Sequence, residues 1–210
     1  KYAAGEEGDA EAVSEQEYRA AEYRAFLGTR PPRSERRDFD LLPIEIERYS
    51  NDFCKYFESV VMIPKLRETR VLTGFSRVVP PGAATVKAEL SLRPQNWLPA
   101  MEVRGEGIFL VLRFDALEKW LSRTDRITTR VQKINARLGQ VAAERGFDSR
   151  EIKPEFLLIH SLAHVLIRQL TFDCGYDSSS LRERIYVGDG EKDRMAGLLI
   201  YTASGDTEGT

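Results

Sequence analysis

The chain is poor in the residue types from which many sites are built. Its 210 residues include two cysteines and two histidines. Cys54 and Cys174 stand far apart and form no CxxC pair. That leaves no internal zinc site of the usual four-ligand kind, and the pair reads as reduced thiols. No apolar run reaches the roughly 18 residues that a membrane span needs, and no secretory signal peptide opens the chain. The first residue is Lys1 rather than a methionine, which reads as a fragment boundary. GxxxxGKS/T and a GxGxxG following a strand are both absent, so no nucleotide-driven motor is expected. A GxSxG elbow is missing too, and without it Ser178 to Ser180 with His164 and Asp206 make a poor hydrolase. No catalytic residue is therefore assigned. Neither sign of charge dominates: 31 basic residues face 33 acidic ones, a net charge of −2. Any contact with nucleic acid must then come from local basic patches rather than bulk attraction.

What is present suits a soluble globular chain, with 42% apolar and 30% charged residues. The length allows one large domain or two small ones. Residues 14–27 (SEQEYRAAEYRAFL) spell a helix with a Ser14/Glu17 capping box, closed by Gly28. Its mostly polar face places it on the surface. The linker RPPRSERR follows, with a basic cluster of Arg30, Arg33, Arg36 and Arg37 that either contacts phosphate or stays solvated. Residues 39–46 read as a strand, 49–59 as a short helix and 60–63 as a short buried strand. Residues 101–112 (MEVRGEGIFLVL) are the clearest strand. The two glycines around Glu106 suggest a bulge or a close backbone approach. The resulting division is a peripheral N-terminal helix and linker over 1–58 and an α/β domain over 59–210.

From Asp115 to about Arg145 the spacing predicts one long helix. Leu117, Trp120, Thr124, Ile127, Val131, Ile134, Leu138 and Val141 repeat at steps of three and four and form a packing seam. Lys119, Arg123, Arg126, Arg130, Lys133 and Arg137 keep their own register, roughly 110° from the seam and about 27 Å long. Such a line could meet a phosphate backbone, an acidic groove on a partner, or only water.

The densest stretch is the last. An almost wholly apolar helix (EFLLIHSLAHVLIRQL) carries one polar stripe, His160, His164 and Arg168. Histidines at i and i+4 have the geometry of a two-His metal pair, but no third ligand is evident in sequence. They read instead as a buried stripe bonded to neighbouring strands, and no metal ligand is assigned. A buried Arg168 would need a carboxylate from Glu183, Asp206 or Glu208. The strand RERIYV should turn Arg182 and Arg184 to one face and Glu183 and Ile185 to the other. A second, apolar strand then leads into SGDTEGT. The fold class expected is α/β of the mixed α+β kind: helices on a small mixed sheet, with one long amphipathic helix and one buried helix.

HSLAHVLIRQL, CGYDSSSLRERIY and GLLIYTASGDTEGT resemble the carboxy-terminal part of the DrmB family, whose members share the MZB (MrfA zinc-binding) domain. KLRETRVLTGFSRV and NWLPAMEVRGEGIFL resemble it too, so the likeness runs from about residue 60 to residue 210. The resemblance implies a subunit of DISARM, a bacterial anti-phage defence system, and a cytoplasmic location. It implies a non-motor partner of the superfamily 2 helicase DrmA that helps to engage DNA within a hetero-oligomer. Zinc in that family is implied to sit in a cysteine cluster, which lies outside these residues, so no cofactor is expected within this chain. On that resemblance the basic residues named above are the expected DNA contacts. His160, His164, Arg168, Arg182, Glu183, Arg184, Asp206 and Glu208 form the expected polar framework.

Overall fold

The segment MAGLLIYT carries no charge, and its side chains from Met195 to Tyr201 are all buried. A strand apolar on both faces must be covered on both, and the rest of the fold does this. The computed structural model describes residues 15–76, 87–88, 90–91, 93, 95–123, 125–146, 151–188 and 194–202. In chain order they form α1 (Glu15–Phe26), β1 (Phe39–Ile44), α2 (Asn51–Cys54), β2 (Phe57–Val71), β3 (Phe75–Ser76) and β4 (Lys87–Ala88). β5 (Ala100–Leu112), α3 (Phe114–Leu121), α4 (Asp125–Arg145), α5 (Pro154–Cys174), β6 (Leu181–Gly188) and β7 (Met195–Thr202) follow.

The main sheet has the order β1-β2-β5-β7-β6. The class is the expected α+β, but every pairing in the sheet is antiparallel where a mixed sheet was expected. For β6 and β7 the connection explains this. A parallel neighbour needs a crossover of a dozen or more residues, whereas β6 and β7 are joined by residues 189–194 alone.

Alternation along the strands builds two cores. Phe109, Val111, Val61, Ile63, Tyr186 and Leu199 face α1, while Leu110, Leu112, Val60, Ile185, Leu198 and Ile200 face α3 and α5. Helix α1 is therefore no peripheral element. Ala20, Tyr23 and Phe26, on one face at steps of three, are at most 5% exposed. Phe26 meets the rings of Phe39, Phe109 and Tyr186, and Tyr23 meets Phe109 edge-on at 5.5 Å. Tyr23 also lies over Gly197, where an added Cβ would come within 3.0 Å of its ring and 2.9 Å of the Leu110 carbonyl. Arg19 and Gln16 donate to the Ile185 and Val187 carbonyls of the edge strand β6. This covers acceptors that an edge would otherwise leave open.

Pro154 sits in the first turn of α5, and Gly175 ends the helix in the left-handed region at φ 74°. This helix was expected to be buried. It fully buries only Ile159 and Ala163, and leaves Val165 64% and Phe172 88% exposed. One helix lying on a sheet buries one stripe. The apolar outer stripe has no cover among the described residues.

The long helix expected from Asp115 is two helices. Ser122 closes α3, its hydroxyl donating to the Lys119 carbonyl, and α4 begins at Asp125. Ser122 and Asp125 are residue types that favour helix ends, which is why the chain breaks between two apolar periods in register. Arg194 pairs with Glu118 and lies over the Phe114 ring, tying α3 to the start of β7.

The expected close approach at Glu106 is present. An added Cβ on Gly105 would lie 1.9 Å from the Thr202 carbonyl oxygen, and one on Gly107 would lie 2.8 Å from that of Ile200. Opposite Glu106, β2 shifts register between Ile63 and Leu66, a bulge at Pro64 and Lys65. Beyond it, β2 and β5 continue as a two-stranded arm from Arg67/Arg104 to Val71/Ala100.

Candidate functional site

Two places hold most of the residues singled out in the sequence. The first lies between α5 and β6. Helical spacing puts His160 and His164 on one face of α5, and strand alternation turns Glu183 toward the same helix. His160 Nε2 and Glu183 Oε1 are 2.9 Å apart, the two Nε2 atoms 2.9 Å, and His164 Nε2 and Glu183 Oε1 3.6 Å. Phe156 stacks on His160, with ring centroids 5.6 Å apart. The second carboxylate oxygen of Glu183 is buried and has no hydrogen-bond partner among the described residues. These three residues are the one group among the described residues with the spacing of metal ligands. Sequence reasoning found the histidine pair but missed its third member, because Glu183 joins it only through the packing of α5 on β6.

The other framework residues disperse. Arg168 is exposed, not buried, and needs no carboxylate. Arg182 and Arg184 share the opposite face of β6, as strand alternation requires. Arg184 Nε lies 2.8 Å from Glu22 Oε2 of α1, an ion pair without hydrogen-bond alignment. Beside it the Tyr186 hydroxyl is held far above its ordinary range, first by burial and then by Glu22. Asp206 and Glu208 lie outside the described residues.

The second place is the basic surface. Lys119, Arg123, Arg126, Arg130, Lys133 and Arg137 are all exposed. They do not form one line, because the break after Ser122 divides them. Arg126, Arg130, Lys133 and Arg137 run along α4. Lys119 and Arg123 instead border a cleft of about 620 Å³ that they share with Lys55 and Arg113. Those two cations were not singled out in the sequence, since α2 and the β5–α3 junction reach the cleft only in the fold. Lys55 is paired with Asp52 and Arg113 with Asp115. The seam beside the stripe is real but thin. On α4, Val131 and Ala142 are buried while Ile127, Ile134, Leu138 and Val141 are half-buried. Thr124 lies outside the described residues.

In the Arg30–Arg37 cluster, Arg30 donates two hydrogen bonds to Asp40, of 3.0 and 2.9 Å. Arg36 donates to the Pro31 carbonyl and lies 3.6 Å from the same carboxylate. These bonds hold the Asp40 carboxyl below the usual carboxylate range, chiefly through Arg30. Half the cluster thus ties the linker to β1, and Arg33 and Arg37 remain exposed.

Two comparisons bear on this geometry. Residues 162–210 match the model of the MZB family, the MrfA Zn-binding domain. That span contains His164 and Glu183 but not His160. Over 206 residues, 95% of its length, the chain is 34% identical to the DISARM protein DrmB of Bacillus paralicheniformis. The chain spans 35% of that relative's length. No helix among the described residues is long and apolar enough to cross a membrane. Likeness to a DrmB protein thus runs along nearly the whole chain, and the MZB match falls on its α5, β6 and β7 region.

Proposed function

We propose that this chain is the DNA-engaging part of a DISARM defence subunit, a non-catalytic partner of a superfamily 2 helicase in the bacterial cytoplasm. The observation that carries the reading is the exposed cationic surface on α3 and α4. Arg126, Arg130 and Lys133 form no ion pair among the described residues, and Lys119 and Arg123 extend the charge into the cleft with Lys55 and Arg113. Cations held in a row without an ion pair among the described residues suit phosphate positioning rather than base readout. A chain of net charge −2 that still concentrates them on one surface is consistent with a local footprint. The Arg30–Arg37 cluster contributes less, since Asp40 engages two of its four side chains.

A second reading rests on the β2–β5 arm. Its end exposes Val71, Leu72, Phe75, Trp97, Leu98 and Met101, each at least half exposed. An apolar group of that size favours docking to a protein, and the chain would then be a scaffold for the helicase. Pull-down of the helicase subunit with full-length protein, with and without DNA, separates the two. Charge reversal at Arg123, Arg126 and Arg130 should abolish DNA capture and keep the helicase. The opposite pattern, helicase lost and DNA retained, would establish the scaffold.

A further inference from the structure

We propose that His160, His164 and Glu183 bind a divalent transition-metal ion, zinc above all, at the junction of α5 and β6. Three potential donor atoms converge there, and no single proton can bridge all three. His160 Nε2 lies 2.9 Å from both Glu183 Oε1 and His164 Nε2. A neutral imidazole carries one N–H, so Nε2 either donates or accepts. If it donates to Glu183, the lone pair of His164 has only a shared proton to face. If it accepts from His164, its own lone pair opposes a carboxylate oxygen. The buried second oxygen of Glu183 has no hydrogen-bond partner among the described residues either. A cation at the common focus meets all three lone pairs at once.

The dimensions fit. A circle through atoms separated by 2.9, 2.9 and 3.6 Å has a radius of about 1.85 Å, shorter than the roughly 2.0–2.2 Å of zinc–nitrogen and zinc–oxygen bonds. An ion about 0.9 Å off the plane therefore reaches each atom at bonding distance. Two imidazoles and a carboxylate suit zinc and the neighbouring first-row ions rather than calcium or magnesium. His164 and His160 keep 64% and 38% of their side chains in solvent, against 22% for Glu183. The open side leaves at least one coordination position for water or an incoming ligand, the pattern of sites with three protein ligands. A cleft of about 420 Å³ beside His164 is also bordered by Arg168. Neither cysteine takes part, so this centre is separate from the cysteine cluster that the resemblance to MZB proteins implies.

Full-length protein provides the test. Elemental analysis should find one equivalent of metal more in the parent than in His164→Ala or Glu183→Gln, and Cys174→Ser should match the parent. Titration of metal-stripped protein with cobalt(II) should show a site with nitrogen and oxygen ligands. Loss of one ligand should weaken that site more than about 100-fold, beyond the 10- to 100-fold that outer-shell changes cost. Equal metal content and cobalt affinity in parent and variants would overturn the proposal. If the variants fail to fold, X-ray absorption on the parent decides. Imidazole scattering in the zinc shell supports the site, and a shell of sulfur alone refutes it.

Discussion

Replacement of Phe26 by alanine tests whether α1 is part of the core. The ring is 2% exposed and sits 5.1 Å from Phe109, 5.9 Å from Phe39 and 6.2 Å from Tyr186, centroid to centroid. Burying a phenylalanine is worth about 1.5–3 kcal/mol in transfer alone. Each favourable ring pair adds about 0.5–1.5 kcal/mol, and truncation leaves a cavity whose walls relax only partly. The expected cost is about 3–5 kcal/mol, a large share of the roughly 5–15 kcal/mol that holds a domain folded. Urea unfolding of the 210-residue chain should show it as a lower midpoint with unchanged slope. Tyr18→Ala is the control, since Tyr18 lies on the same helix but is 63% exposed, and its change should stay within about 0.5 kcal/mol. If Phe26→Ala also fell within about 0.5 kcal/mol, α1 would be the detachable surface helix that its polar composition suggests, and the packing described above would be wrong.

Gly105→Ala should destabilise by about 1–3 kcal/mol or more, because its Cβ has no room against the Thr202 carbonyl. Gly139→Ala, in the interior of α4 with nothing within 4 Å of the new Cβ, should stabilise by about 0.4–1 kcal/mol. Thermal melts of the two variants check both signs. The lowered Asp40 carboxyl contributes stability above its unfolded pKa of about 3.9. That contribution is lost as the pH falls through the lower folded value. Asp40→Asn should therefore lower the melting temperature at pH 7 and flatten its fall below about pH 4. Parallel curves for parent and variant between pH 2.5 and 7 would contradict this.

Much of the fold was legible in sequence where periodicity was strong and local. The Gly-Glu-Gly strand, the helix EFLLIHSLAHVLIRQL and the alternation of RERIYV all behave as their spacing requires. The failures share one cause, that packing between distant segments leaves no local mark. In α1 three core residues hide among nine others, most of them polar, so the helix reads as surface. In α5 apolar composition overstates burial, because only one side of the helix meets the sheet. The seam through Thr124 reads as continuous because its period survives the break, although Ser122 and Asp125 are a stop and start signal in plain view. Glu183 joins His160 and His164 only because β6 lies under α5. The ion pairs of Arg30 and Arg36 were hidden for the same reason, since Asp40 comes to them from β1.

The most direct test of DNA engagement is the salt dependence of DNA affinity for full-length protein, parent against Arg126→Glu/Arg130→Glu/Lys133→Glu. Each phosphate contact contributes about 0.9 to the slope of log affinity against log salt. The triple variant should bind more weakly at low salt, with a slope shallower by about 2.7 if all three residues meet phosphates. Equal slopes and equal affinity would show that this surface does not touch DNA.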